Sequence, residues 1–96
     1  MKPSEALRLN REQVRRIVAA HHARNARVFG SVLRGDDEDG SDLDILIDPT
    51  PETTLMDIGA IRHELRMLLN VDVDVLTPRA LPARLRGQVL SEATPL

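Results

Sequence analysis

The sequence predicts an α+β sandwich, in which a small mixed β-sheet is flanked by helices. Segments with apolar residues at helical spacing alternate with short strand-like segments, in the order αβαβαβα. The length of 96 residues makes one small domain, residues 1–96, with little room for a second. The core is expected to consist of Leu, Ile, Val and Ala, because Phe29 is the only aromatic residue.

The first helix is predicted over residues 11–23. Asn10 is placed to be its N-cap, with Gln13 as the capping-box partner. One face of this helix carries three apolar residues and a histidine at helical spacing, namely Val14, Ile17, Val18 and His21. Arginines lie mainly off that face, and a charge run of this kind is usually a solvated helix surface.

A short strand is predicted over residues 27–29, and Gly30 ends it. Residues 31–34 can form one helical turn that ends at Gly35. The polar residues 36–41 that follow are predicted to be a loop.

The second strand is predicted over residues 42–48, where apolar and polar residues alternate before Pro49. One face carries Leu43, Ile45 and Ile47, and the other carries Asp42, Asp44, Leu46 and Asp48. A long helix is then predicted from Thr53 or Thr54, either of which can cap it, to Leu69. Its apolar stripe consists of Leu55, Ile58, Ile61, Leu65, Leu68 and Leu69.

The third strand is predicted over residues 71–76, after Asn70 caps the end of the long helix. Valines alternate in it with Asp72 and Asp74. A final helical region is predicted after Pro78, with apolar residues four apart at Leu81, Leu85 and Val89.

The composition excludes several kinds of site. There is no cysteine, which excludes disulfides, thiolate metal sites and thiol catalysis. His21 and His22 are adjacent and point to different sides of a helix, so they form a poor metal clamp. No apolar run is long enough for a membrane span or a signal peptide, so we expect a cytoplasmic protein. Because aromatic stacking on bases is nearly absent, no direct nucleic-acid partner is expected.

Three aspartates on two predicted strands are the main candidates for chemistry. Asp42 and Asp44 are separated by one residue, so both project from the same face of a strand and can share one or two divalent cations. Asp74 adds a third carboxylate if the strands are neighbours, and Asp72 is its rival on the same face. Such a set fits two-metal phosphoryl and nucleotidyl transfer. An isolated Asp-x-Asp, in contrast, is more often a solvated surface pair.

A possible phosphate site precedes the aspartates. Gly30 and Ser31 follow a strand and begin a helical turn, so backbone N–H groups and a hydroxyl can face an anion. Taken alone, the Gly-Ser pair is equally typical of an ordinary turn. Its position before the Asp-x-Asp strand favours the phosphate interpretation.

These motifs resemble the polymerase β-like nucleotidyltransferase superfamily. Its signature is Gly-Ser, ten residues, then Asp-x-Asp, and VFGSVLRG followed by SDLDILID matches it, with residues 32–41 as the spacer. The small size resembles the minimal nucleotidyltransferase group, and residues 73–96 are similar to that group's C-terminal segment. The resemblance extends from about Val28 to the end of the chain.

The resemblance implies a role for each matching residue. Gly30 and Ser31 would hold the β- and γ-phosphates of a nucleotide, and Asp42 and Asp44 would bind Mg²⁺. Asp74 would complete the two-metal site and help to deprotonate the acceptor hydroxyl. It is preferred over Asp72 because the residues after it match the family segment.

Two further residues enter the nucleotide-binding set through the resemblance. Ser41 directly precedes the metal pair and could orient the loop. Arg34 matches the arginine of Gly-Ser-x-x-Arg-Gly, and either a phosphate or acceptor contact or a salt bridge to the acidic loop would explain it. Leu33 departs from the alanine that is frequent before this arginine.

The resemblance also implies a function. Many members of the group are antitoxins that transfer AMP from ATP, with Mg²⁺, to a tyrosine of a HEPN-domain RNase toxin. This chain has no tyrosine, so a tyrosine acceptor must lie on a partner, and a hetero-oligomer is expected. Two alternatives stay open: a catalytically idle protein that neutralises its toxin by binding, and a nucleotidyltransferase for a small molecule.

Overall fold

The computed structural model describes residues 1–96 and contains four helices and four strands. The helices are α1 (Pro3–Ala20), α2 (Gly30–Arg34), α3 (Leu55–Leu69) and α4 (Ala83–Glu92). The strands are β1 (Ala23–Phe29), β2 (Leu43–Pro49), β3 (Val73–Leu76) and β4 (Thr94–Pro95), and a 3₁₀ turn covers Pro78–Ala80. None of the helices combines the length and apolarity that crossing a membrane requires.

The strands form one mixed sheet in the order β3-β2-β1-β4. Strand β2 pairs antiparallel with β1 and parallel with β3, and β4 pairs antiparallel with β1. The predicted α+β class with a small mixed sheet is confirmed. Strand β4 was not predicted, because two residues cannot show an alternating pattern, and it pairs only with Arg27 and Val28.

The main core lies between one face of the sheet and the helices α1 and α3. Strand residues at 0–5% exposure face helix residues that are equally buried, and these are Val28, Leu43, Ile45, Ile47, Val14, Val18, Ile61 and Leu65. The predicted inward face of β2 is therefore correct. The predicted stripe of α3 is wrong at its first position, because Leu55, the first residue of the helix, is 87% exposed.

The second face of the sheet is covered more thinly. Leu46 and Leu81 are buried there, outside the main core cluster. Arg86 holds the start of α4 against the 3₁₀ turn, since its guanidinium donates to the carbonyl groups of Pro78 and Leu81. Helix α4 itself has no buried residue, so Leu81 is the one member of the predicted final stripe that is fully covered.

Helix α1 differs from its prediction at both ends. It begins at Pro3, where proline suits the first helical turn, and it ends at Ala20. Asn10 is not an N-cap: it lies inside α1 with φ −133° and ψ 20°, and its side-chain amide donates to the Ala6 carbonyl at 2.8 Å. The asparagine thus marks a kink, and the segment before it is helical because Ala6 and Leu7 pack into the core.

Helix α3 has the ends that the sequence indicates. Thr54 is the N-cap and forms a capping box with Asp57, and the Thr54 N–H bond lowers the pKa of the Asp57 carboxyl. Asn70 is the C-cap, in the left-handed conformation with φ 55°. These two caps fix where the chain enters β3 and so where β3 begins.

Candidate active site

At one end of the sheet, the last residue of β1 lies beside the first residues of β2, and β3 starts next to β2. Strand β1 ends at Phe29, which is paired with Asp44 near the start of β2. Strand β3 is parallel to β2, so it starts at the same end of the sheet, and Asp44 is paired directly with Asp74. Gly30 begins α2 immediately after Phe29. The topology therefore brings the predicted phosphate turn and two of the predicted aspartates together.

The third aspartate, Asp42, lies next to the same end of the sheet. Asp42 is exposed and precedes β2, while Asp44 is half-buried on the sheet face opposite the main core. Partial burial, followed by the negative charges of Asp74 and Asp42, raises the pKa of Asp44 from 3.8 to about 6. The Arg34 guanidinium acts in the opposite direction. Asp44 is therefore the electrostatic centre of the cluster.

Gly30 packs directly against the Asp44 carboxylate. A Cβ atom at position 30 would overlap Oδ2 of Asp44 and lie 3.2 Å from its Cγ. The φ of Gly30 is +74°, a conformation that side-chain-bearing residues rarely adopt. Both the close approach and the backbone conformation require glycine here.

Ser31 lies in the first turn of α2, where backbone N–H groups have no partner within the helix. Phe29, the N-cap, provides no side-chain hydrogen bond to that turn. The Ser31 carbonyl accepts from the Asp36 N–H at 3.1 Å, whereas its hydroxyl is not part of any side-chain hydrogen bond in the fold. These donors are thus free to contact an anion.

The structure places the rival aspartates differently. Asp74 is a residue of β3 in register with Asp44. Asp72 precedes β3, and its carboxylate forms an ion pair of 3.0 Å with Arg66 of α3. Its carbonyl accepts from the Leu43 N–H at 2.8 Å, which ties the starts of β2 and β3 together. Asp72 therefore has a structural partner, while Asp74 faces Asp44.

Arg34 and Ser41 frame the acidic loop. Arg34 is exposed and forms an ion pair with Asp36 at 3.6 Å, in agreement with the salt-bridge alternative, while its charge also reaches Asp44. The Ser41 hydroxyl accepts from the Glu38 N–H at 2.9 Å, and the Ser41 N–H donates to the Glu38 carbonyl at 3.0 Å. Ser41 in this conformation shapes the loop.

The carboxylates fit a divalent cation by their chemistry. Mg²⁺ prefers oxygen ligands, and clustered carboxylates such as Asp42, Asp44 and Asp74 supply them. Burial, and then the charges of Asp74 and Asp42, raise the pKa of Asp44, and a bound cation would counteract both effects. In their present rotamers, no three acidic or histidine side chains converge on one point that could hold a metal ion. Binding would therefore require these side chains to turn toward each other.

The largest cavity, of about 630 Å³, lies beside the cluster and not over it. Ser41 and Asp72 line it together with His63, Arg66 and Met67 of α3, but Asp42, Asp44 and Asp74 do not. The three aspartates therefore lie outside this cavity.

One residue of this region was not predicted to matter. Asp37, in the acidic loop, is 5% exposed and accepts a hydrogen bond from the Ser4 N–H at 2.9 Å. No local pattern distinguishes it from its acidic neighbours, because its partner lies 33 residues away.

Comparisons with known proteins agree with this arrangement. Residues 12–96 match the family model of the polymerase beta nucleotidyltransferases. A protein of Methanocaldococcus jannaschii that is named as a protein adenylyltransferase is 34% identical over 77 residues, which cover 80% of this chain and 83% of that protein. The protein adenylyltransferase MntA of Thermococcus cleftensis is 30% identical over 92 residues, which cover 88% of this chain and 93% of that protein.

Two solved structures resemble the fold. A minimal nucleotidyltransferase superposes with a TM-score of 0.87 at 46% sequence identity, covering 97% of this chain and 95% of that chain. A toxin–antitoxin structure with AMP-PNP superposes with a TM-score of 0.75 at 20% identity, covering 90% and 71%. The second likeness concerns the fold alone. The predicted nucleotidyltransferase-like architecture is confirmed.

The contact of Gly30 with Asp44 predicts a specific loss of stability. Gly30→Ala combines a positive φ, which costs about 1–2 kcal/mol, with an overlap that adds about 1–3 kcal/mol. Gly35→Ala is the matched control, because Gly35 has φ +79° and nothing within 4 Å of an added Cβ. Urea denaturation should show the larger loss for Gly30→Ala. Equal losses would contradict the close packing.

The pKa of Asp44 predicts how stability depends on pH in metal-free buffer. A carboxyl whose pKa is higher in the folded state than in the unfolded state loses stability as pH rises, here between about 4 and 6. Because the group is half-exposed, the cost is about 1–2 kcal/mol by pH 7. Asp44→Asn should remove it, so the variant should be the more stable protein at pH 7.5 and not at pH 4. Denaturation curves at both values in EDTA measure this difference, and identical pH dependence of the two proteins would refute it.

Proposed function

The chain belongs to the polymerase β nucleotidyltransferase family, and on this premise we propose that it is a Mg²⁺-dependent protein adenylyltransferase. It transfers AMP from ATP to a tyrosine of a HEPN-domain RNase toxin and so acts as the antitoxin. The single observation that carries the proposal is the placement of Gly30 against Asp44, with Asp74 paired to Asp44 on the next strand. This contact supports a phosphate-binding role for the turn, because the turn adjoins clustered carboxylates.

The first task of the site is to hold the triphosphate. The N–H groups at the start of α2 and the Ser31 hydroxyl donate to no side-chain acceptor of the protein, so they are available to phosphate oxygens. Because Gly30 has no side chain, the turn packs against the Asp44 carboxylate, and its N–H groups lie next to the proposed cation ligands. Arg34 can leave its exposed ion pair with Asp36 for a phosphate at little cost, since such pairs contribute little to stability.

The second task is to stabilise the charge that develops on the α-phosphate. Asp42, Asp44 and Asp74 would hold Mg²⁺, which supplies Lewis-acid stabilisation when it is bound. A cation bound there would offset the burial and the carboxylate repulsion that raise the pKa of Asp44, and so would favour the ionised form of this carboxyl group.

The transfer step exchanges one P–O bond for another. The acceptor oxygen attacks the α-phosphorus, the bond to the bridging oxygen of the β-phosphate breaks, and pyrophosphate leaves. The hydroxyl proton passes to the Asp74 carboxylate, which lies at the strand start beside Asp44. Hydrogen bonds from the turn at Gly30 and Ser31 keep the leaving group in line with the attacking oxygen.

The acceptor must come from another molecule if it is a tyrosine, because this chain has none. Asp42, Asp44 and Asp74 do not line the largest cavity, which favours a macromolecular acceptor that brings its own surroundings. Two relatives are named protein adenylyltransferases, and a neighbour in fold is a toxin–antitoxin structure with AMP-PNP, which supports this partner class. Helix α4, with Leu85 at 40% and Leu90 at 39% exposure, is the proposed docking surface.

Asp74 and Asp72 provide a matched pair of variants. Asp74→Asn should lower the rate of AMP transfer by about 100-fold or more, because a ligand and proton acceptor is lost. Asp72→Asn should lower it little, because Asp72 pairs with Arg66 away from the reacting atoms. Transfer is followed as label from α-³²P-ATP on the partner. Equal rates for the two variants, or a greater loss at Asp72, would refute the assignment.

The acceptor is tested by mass. The purified chain is incubated with ATP and Mg²⁺, with and without a HEPN-domain RNase, and the intact mass of each protein is measured by mass spectrometry. A gain of one or more AMP units on the RNase, with loss of its activity, is expected. An RNase that is bound and inactive without any AMP would instead favour neutralisation by binding.

A further inference from the structure

The loop between α2 and β2 contains one acid that is unlike its neighbours. Asp37 is 5% exposed, whereas Asp36, Glu38 and Asp39 are exposed. Its Oδ2 accepts a hydrogen bond of 2.9 Å from the Ser4 N–H in the first turn of α1. A buried carboxylate is costly unless it is hydrogen-bonded, so this contact determines where the loop lies.

The first turn of α1 needs this partner. Pro3 has no N–H group, and the N–H groups of Glu5 and Ala6 donate to the Lys2 carbonyl. The Ser4 N–H has no backbone acceptor, and the N-cap Lys2 provides no side-chain hydrogen bond. A carboxylate at a helix N-terminus also interacts favourably with the helix dipole. Asp37 therefore supplies the cap that the sequence around Lys2 lacks.

The other attachments of the loop are local or exposed. The Asp36 N–H donates to the Ser31 carbonyl, and Glu38 and Ser41 bond to each other. For residues 35–41, the only other hydrogen bond or ion pair to a distant segment joins Asp39 to the amino group of Met1, at 3.5 Å and with both groups exposed. Exposed pairs of this kind contribute little, so Asp37 is the firm anchor of the loop.

We infer that Asp37 is a positioning residue for AMP transfer: by capping α1 it fixes the loop that joins the Ser31 turn to Asp42. The loop begins after Arg34, at the end of the helix that carries the proposed phosphate-binding residues Gly30 and Ser31. It ends at Asp42, the first of the three carboxylates. Both halves of the nucleotide site are therefore connected through it. The inference rests on the proposed function and assigns Asp37 no contact with substrate.

The test uses three variants and a nucleotide that cannot react. Binding of Mn²⁺ with α,β-methylene ATP, in which the bond that transfer breaks is replaced, is measured by calorimetry on the isolated chain. Asp37→Ala should weaken this binding by about 10- to 100-fold, as the loss of an outer-shell support does at metal sites. Asp37→Asn keeps an acceptor oxygen and should restore most of the affinity. Asp39→Ala, in the same loop, should bind the Mn²⁺ nucleotide with an affinity within about twofold of that of the unsubstituted protein.

Kinetics with the partner separate positioning from chemistry. In Asp37→Ala, the KM for ATP should rise by a larger factor than kcat falls, because the phosphate-binding turn at Gly30 and Ser31 is displaced while the reacting groups are retained. If Asp37→Ala binds the Mn²⁺ nucleotide as the natural chain does, the residue is a helix cap only and the inference is overturned.

A measurement on the natural chain covers the case in which Asp37→Ala does not fold. Because coupling between two sites is reciprocal, binding of Mn²⁺ and α,β-methylene ATP should slow hydrogen exchange at the Ser4 amide several-fold. Unchanged exchange at Ser4, with protection at Leu43, would overturn the inference and leave the proposed function intact. A natural chain that binds no Mn²⁺ nucleotide at all would overturn both.

Discussion

The close approach of Gly30 to the Asp44 carboxylate is the constraint on which the site depends. It requires a residue without a side chain, at a positive φ, at the point where β1 becomes α2. Because β1 is the antiparallel neighbour of β2, this turn lies beside the start of β2 and not at the opposite end of the sheet. A bulkier residue at position 30 would push the turn away from the Asp44 carboxylate, and the proposed nucleotidyl transfer needs these two groups side by side.

The second constraint is electrostatic. Asp44 is half-buried and is paired with Asp74 on the adjacent strand. Its burial, and then the charges of Asp74 and Asp42, raise its pKa to about 6. Two other acids in or beside the sheet have cationic partners, since Asp72 pairs with Arg66 and Asp48 pairs with Arg27. The charged neighbours of Asp44 are chiefly the carboxylates of Asp74 and Asp42, with Arg34 acting in the opposite direction. The same arrangement that destabilises the metal-free fold favours the metal-bound one.

The sequence predicts most of the sheet and the candidate site because both depend on short patterns. Alternation identifies β2 and β3, and the resemblance of the Gly-Ser and Asp-x-Asp motifs to the nucleotidyltransferase signature suggests a site before any contact is known. What the sequence did not predict depends on distant partners. Strand β4 exists only by pairing with β1, residues 3–9 are helical because they pack into the core, and Asp37 is distinguished only by Ser4. Asn10 was assigned as a cap because Asn followed by Gln three residues later is typical of one, but its side chain bonds backward to Ala6.

The most direct test of the account is a crystal structure of the chain with Mn²⁺ and α,β-methylene ATP, with data collected at a wavelength where manganese scatters anomalously. The account predicts manganese peaks between the carboxylates of Asp42, Asp44 and Asp74, with the triphosphate against the backbone of Gly30 and Ser31. Manganese and nucleotide bound elsewhere, for example in the cavity lined by His63 and Arg66, would contradict it.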